Sequence, residues 1–162
     1  MKIRKITLAV VLGTLALSVS SFAFEQKSIE QLKKLSDFKT VEEFEEYHKA
    51  YTKECLANGF GGAGSIPCFV AEELWDRELN IYYKKAFNKL KPFSQEKLKN
   101  SQKKWLENRD LTKEFSSILI NYKYSEGGSM YALFKAEERD KLNYPMIKER
   151  ALLLKSWSDL SE

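Results

Sequence analysis

Two ladders of positions in the middle of this chain advance by alternating steps of three and four. The first is Cys68, Ala71 or Glu72, Trp75, Leu79, Tyr82, Ala86 and Leu90; the second is Leu98, Gln102, Trp105, Arg109, Thr112, Ser116 and Leu119. That period is the one of a helix that buries a single stripe. Lys91-Pro92-Phe93-Ser94 separates them. Pro92 is expected to stop the first helix, Ser94 to cap the second, and Phe93 to staple against Leu98. So short a connection predicts an antiparallel hairpin. Equal rise on both helices makes facing positions sum to about 185. Asp76 then faces Arg109, Asn80 faces Trp105, and Tyr83 faces Gln102. Polar groups on a core-facing stripe need partners, so these six are read as a buried polar seam that sets helix register, in preference to a catalytic carboxylate–arginine pair.

The flanks are helical too. Phe24 to Ser36 carries a weak amphipathic pattern (Ile29, Leu32, Leu35), and Asp37 to Thr40 reads as a break. Thr40 with Glu43 forms a capping box ahead of a stripe of Val41, Phe44, Tyr47 or His48, Tyr51 and Cys55. Glu42, Glu43, Glu45 and Glu46 read as the solvated face. The second hairpin helix is expected to run through Phe115, Ile118, Leu119 and Tyr122 to about Ser125, with Gly127-Gly128 as its stop. Ser129 opens another helix, Asn143-Tyr144-Pro145 breaks it, and a last helix presents Met146, Ile147, Ala151, Leu154 and Trp157. Arg150 falls on that apolar side and is expected to reach a carboxylate or a helix end. The fold class is all-α: a small helical bundle built on a long antiparallel hairpin.

Charge and cysteine content alter this picture. Lys2, Arg4 and Lys5, the apolar run Ile6 to Leu17, and Ser21-Phe22-Ala23 have the form of a cleavable export signal over residues 1–23, cut after Ala23. The run is short for a membrane span, and no cysteine marks a lipid anchor. Residues 24–162 are then one all-α domain in the periplasm or outside the cell. Removing three of the chain's 27 basic residues, against 23 acidic ones, lowers the net charge from +4 to +1. Nucleic acid and anionic membrane lose their main support as partners. In an oxidising compartment the only two cysteines, Cys55 and Cys68, should pair. They enclose Asn58 to Ser65, which holds four of the seven glycines and reads as a flexible link with Phe60 exposed on a stapled base. The sequence lacks the lysine of a phosphate loop there. His48 is the only histidine and reads as a helix-surface residue. No metal cluster, nucleophile–base pair or cofactor loop is present, so no cofactor and no enzyme activity are expected.

Cys-x12-Cys (Cys55, Cys68), then W-D-x-x-L-N-x-x-Y (Trp75-Asp76, Leu79-Asn80, Tyr83), then Q-x-x-W-x-x-x-R-D (Gln102, Trp105, Arg109-Asp110) and G-G-S (Gly127-Gly128-Ser129) resemble the lysozyme inhibitor LprI-like family. The likeness spans about Cys55 to Leu154. It implies a small cell-envelope protein, with a lysozyme-type glycosidase as its protein partner; the alternative is a periplasmic adaptor without inhibitory activity. Many members carry a second cysteine pair where Lys113 and Leu142 stand here, so a second disulfide is absent. An inhibitor of a concave cleft needs a narrow protrusion. Phe60, Gly61 and Gly62, together with Gly127, Gly128 and Ser129, are the candidates, and the hairpin geometry sends both turns to the end opposite Pro92.

Overall fold

The computed structural model describes residues 24–59 and 61–160; the stretch read as an export signal and Phe60 lie outside the described residues. Every regular element among them is helical: α1 is Val41–Asn58, α2 Ala71–Lys89, α3 Pro92–Lys123 and α4 Ser129–Leu160. One disulfide, Cys55–Cys68, joins the end of α1 to the segment before α2, with Cα atoms 5.5 Å apart.

The ends of these helices follow local chemistry, with two corrections at the hairpin turn. Thr40 Oγ1 accepts the Glu43 N–H at 3.2 Å, while the Glu43 carboxylate takes the Lys39 N–H. Pro92 does not close α2; it opens α3 at its first position, after Lys91 as cap. Proline suits that site because the first turn has no use for its missing N–H. Ser94 therefore lies inside the first turn. The staple does not form either, since Phe93 is 73% exposed, under the Lys97 ammonium.

Three other sequence expectations are overturned by packing. Phe24 to Ser36 is not an α-helix but two 3₁₀ turns, Ile29–Gln31 and Leu35–Asp37. Extended residues between them let Leu32 and Leu35 both reach the core. The glycine-rich stretch is not a loose link: Gly62–Cys68 is an ordered 3₁₀ helix with Gly62 and Ser65 buried. Pro145 does not divide the last helix, because α4 continues through it. An interior proline costs about 3 kcal/mol. Here Asn143 before it and Ile147 after it are both buried, so packing on both sides offsets the lost bond. Lys141 and Pro145 are exposed, which leaves the freed carbonyl on the solvent side.

Helix α2 packs most closely on α4, not on its hairpin neighbour. Three polar links set the direction: Glu72 N to Asp140, Asn143 to Glu72, and Lys89 Nζ to the Ser158 carbonyl. The offset along the chain stays near 70 residues, so α2 and α4 run parallel. Small residues on both sides (Ala71, Ala86, Ala151, Ser158) are buried and allow this approach. Trp75, Leu74, Leu79, Ile147 and Leu154 fill the core, with Phe44 of α1 edge-on to Trp75 at 5.2 Å. His48 belongs to this core and not to the surface. It is 2% exposed, beside Phe44 and Tyr144.

On α3 the buried ladder departs from the expected one after Arg109. Ile120 is buried and Leu119 exposed. The sequence reading held a step of 3.5 residues, whereas a straight helix turns every 3.6 and drifts by about 20° per heptad. Three heptads suffice to move the inner position by one residue.

Candidate functional site

Helices α2 and α3 meet through long polar side chains, and this leaves a groove. Asp76 Oδ1 accepts from Arg109 Nη1 at 3.4 Å, and Glu72 is ion-paired with Lys113. Both pairs obey the same antiparallel register. Around Asp76 and Arg109 lie two adjoining cavities. One, of about 730 Å³, extends toward Glu30, Lys34 and Arg77; the other, of about 560 Å³, is bounded by Tyr83, Gln102, Lys103 and Asp110.

Arg109 is held on several sides. It donates to Asp110 Oδ1 at 2.8 Å through Nε and lies over the Trp105 ring at 5.5 Å. Asn80 Nδ2 donates to Asp76 Oδ2 at 3.0 Å. The Asp76 side chain is 43% exposed and that of Arg109 20%. The pair thus stands at the mouth of a wet groove, not in a dry interface. Of the six residues read as a seam, Asp76, Asn80, Tyr83, Gln102 and Arg109 all line the second cavity, and Trp105 covers Arg109. Gln102 does not bond Tyr83. Its Oε1 accepts from Arg150 Nε at 3.0 Å.

Arg150 meets no carboxylate or helix end. It donates also to Ser101 Oγ and lies between the Trp105 and Trp157 rings, at 5.8 and 5.2 Å. Burial holds its pKa below the usual arginine value. Two indole faces and two neutral acceptors replace a counter-ion.

The ion pair buried most deeply had no signal in the helical periodicity. Arg77 and Glu78 are neighbours in sequence, bonded at 2.9 Å and almost completely buried. Arg77 also donates to the carbonyls of Ile29, Leu32 and Lys33, tying the two 3₁₀ turns to α2. Glu72–Lys113 was within reach of the sequence, because its numbers also sum to 185. Asp140 of α4 accepts the Glu72 N–H at 2.8 Å and so caps the start of α2 from outside. Burial first, then the charges of Glu72 and Glu73, push the Asp140 carboxyl up to about 6.

The glycine turns form a second candidate surface. A side chain added at Gly62 would collide with Ser129, so the stapled segment and the start of α4 touch there. Gly61, Gly62 and Gly128 have φ of 72°, 51° and 111°, the left-handed region that favours glycine. Ser65 Oγ accepts the Gly61 N–H at 3.0 Å, and Thr52 Oγ1 donates to the Cys68 carbonyl at 2.9 Å. Around Gly61, Gly127 and Gly128 the space beside the backbone is open.

Among the described residues no group of three His, Cys, Asp or Glu side chains could hold a metal ion, and no helix is long and apolar enough to cross a membrane. Of the groove carboxylates, Asp76 is matched by Arg109 and Asn80, and Glu72 by Lys113. Such surfaces suit recognition of another macromolecule.

No curated protein and no solved structure matches the chain. Residues 68–149, which run from the second cysteine through the groove helices into α4, match the family model described as lysozyme inhibitor LprI. That segment is half of the 162 residues, and by it the chain belongs to the LprI lysozyme inhibitor family.

Proposed function

We propose that this protein is exported through residues 1–23 and inhibits a lysozyme-type peptidoglycan hydrolase by lodging its glycine edge in the enzyme's cleft. The contact between Gly62 and Ser129 carries this reading. It joins two turns distant in sequence into one edge, held from behind by the Cys55–Cys68 disulfide and the buried Ser65. A glycosidase cleft works with two carboxylates, and a narrow protrusion that fills it denies the sugar chain access. Rigidity lowers the ordering cost of binding. At Gly61, Gly127 and Gly128 the space where a side chain would stand is open, so the backbone itself can approach the enzyme. Glu42, Glu43 and Glu46 are exposed on α1 and would speed encounter with a basic enzyme; Glu45 is tied to Lys148 at 2.7 Å.

The test is a lysis assay with the purified exported protein and its Phe60→Ala and Lys91→Ala variants, each checked by circular dichroism. Phe60→Ala should weaken inhibition by at least tenfold and Lys91→Ala should not. Equal potency would remove the glycine edge from the contact, and an inert parent protein would remove inhibition altogether.

One observation favours a second reading, that of a periplasmic adaptor. Two of the family's motifs meet at the α2–α3 groove: Asp76, Leu79, Asn80 and Tyr83 line it from one helix, and Gln102, Arg109 and Asp110 from the other. In that case Lys103→Glu, at the rim of the groove, disturbs partner capture and no lysozyme is inhibited.

A further inference from the structure

The distal half of α3 presents a face that nothing in the described fold uses. Leu111, Phe115, Ile118, Leu119 and Tyr122 are exposed, from 50% at Leu119 to 88% at Tyr122. At 100° per residue they fall within a sector of about 100°, on the side away from Ile120, which is buried. The stripe is uncharged. Its area is on the order of 700 Å², given the size of its aromatic and aliphatic side chains. Single-chain proteins rarely leave a contiguous apolar patch above a few hundred Å², and a standard interface covers roughly 800 Å² per partner.

We infer that this stripe is the interface with a second copy of the chain, paired antiparallel about a twofold axis near Ser116 and Ser117. The spacing selects that partner. Leu111, Phe115, Ile118 and Tyr122 follow steps of four, three and four, which read the same in both directions. A twofold axis at the midpoint sets Leu111 against Tyr122 of the copy and Phe115 against Ile118 of the copy, with no residue type opposite itself. This is the self-matching that an isologous contact requires. Asp110 and Glu114, on one margin of the stripe, then lie beside the neutral Asn121 and Ser117 of the copy, so like charges do not meet. The position along the fold also allows it. Ala71 opens α2 and faces about residue 114 on the shared register, so the last turns of α3 project past α2 with their outer side open.

The test uses the full-chain product after export. Its mass, from light scattering across a concentration series, should rise to twice that of one chain. Phe115→Glu with Ile118→Glu should return it to the single-chain value with unchanged circular dichroism, because both side chains touch solvent in the isolated chain. Orientation is read from a mixture of a Leu111→Cys chain and a Tyr122→Cys chain. The mixture should form a disulfide-linked dimer that neither chain forms alone. A single-chain mass at all concentrations overturns the inference. So do cross-links formed by either variant alone. A monomer that loses lysozyme inhibition on Phe115→Glu would assign the stripe to the enzyme instead.

Discussion

The two halves of α3 are one continuous helix with opposite surroundings. The first half lies along α2 and α4: Leu98 and Gln102 are buried, and Trp105 and Arg109 are half-covered by Arg150 and Asp76. The second half keeps only Ile120 inside and turns five large apolar residues to water. Composition does not separate them, since the more apolar half is the more exposed one. What differs is the number of neighbouring helices: the second half keeps α4 beside it, through Lys123–Glu138 and Tyr124–Phe134, but has no α2 on its other side.

The largest contrast between the halves should be energetic. Trp75→Ala removes a side chain that is 0% exposed and should destabilise by about 3–5 kcal/mol. Phe115→Ala, melted at a concentration low enough to keep the chain single, should change stability by less than about 0.5 kcal/mol. Urea melts of the two variants would erase the distinction if they moved together.

Buried and exposed ion pairs offer a comparison of similar size. Arg77→Ala leaves Glu78 1% exposed and without its partner and should cost about 3–5 kcal/mol. It should also release the segment around Ile29 and Leu32, seen as faster hydrogen exchange. Retained protection there would mean that Leu32 and Leu35 alone hold the 3₁₀ turns.

Acidity acts on two groups in opposite directions. His48 is lowered from 6.5 to about 4, chiefly by burial, with Glu45 raising it and Lys49 and Lys148 lowering it. Its contribution is present above pH 6.5 and is lost as pH falls through about 4. Asp140 is raised from 3.8 to about 6. Its contribution is present below pH 3.8 and is lost as pH rises through about 6. Each amounts to roughly 3 kcal/mol at 1.36 kcal/mol per pH unit, so between about pH 4 and 6 the two nearly cancel. Thermal melts should show His48→Phe gaining stability on acidification across that window and Asp140→Asn losing it more steeply than the parent. Parallel curves for all three proteins would contradict both assignments.

The smallest expected effect is at the groove. With Asp76 at 43% and Arg109 at 20% exposure, Asp76→Ala should cost no more than about 1 kcal/mol. A loss of several kcal/mol would show that the groove closes in solution into the dry seam that the periodicity suggested. Unchanged stability with lost partner binding would make the groove a recognition site.

Much of this was legible in the residues. The helical stripes of α1 and α2, the Thr40 cap, the Cys55–Cys68 bridge and the pairing of Asp76 with Arg109 depend on spacing, local bonding or the presence of only two cysteines. These are short-range or combinatorial constraints. The glycine turns were visible as turns, and the hairpin register placed both at one end of the bundle. The meeting of Gly62 and Ser129 could not be read, because it depends on where α4 begins to pack.

What the sequence determined by itself was therefore the helical class, the helix starts at Thr40 and Ser129, and the register across a short turn. Each is governed by neighbours a few residues away or by one rigid connection. The tertiary structure decided the rest. It carried α4 through Pro145, because burial on both sides outweighs one lost hydrogen bond. It made Ile29–Gln31 and Leu35–Asp37 3₁₀ turns, with Arg77 taking up the carbonyls of Ile29, Leu32 and Lys33. It brought α2 against α4 through small residues brought together from distant parts of the chain. It also left the outer side of α3 open, since exposure depends on which helices come near and not on the order of residues within one of them.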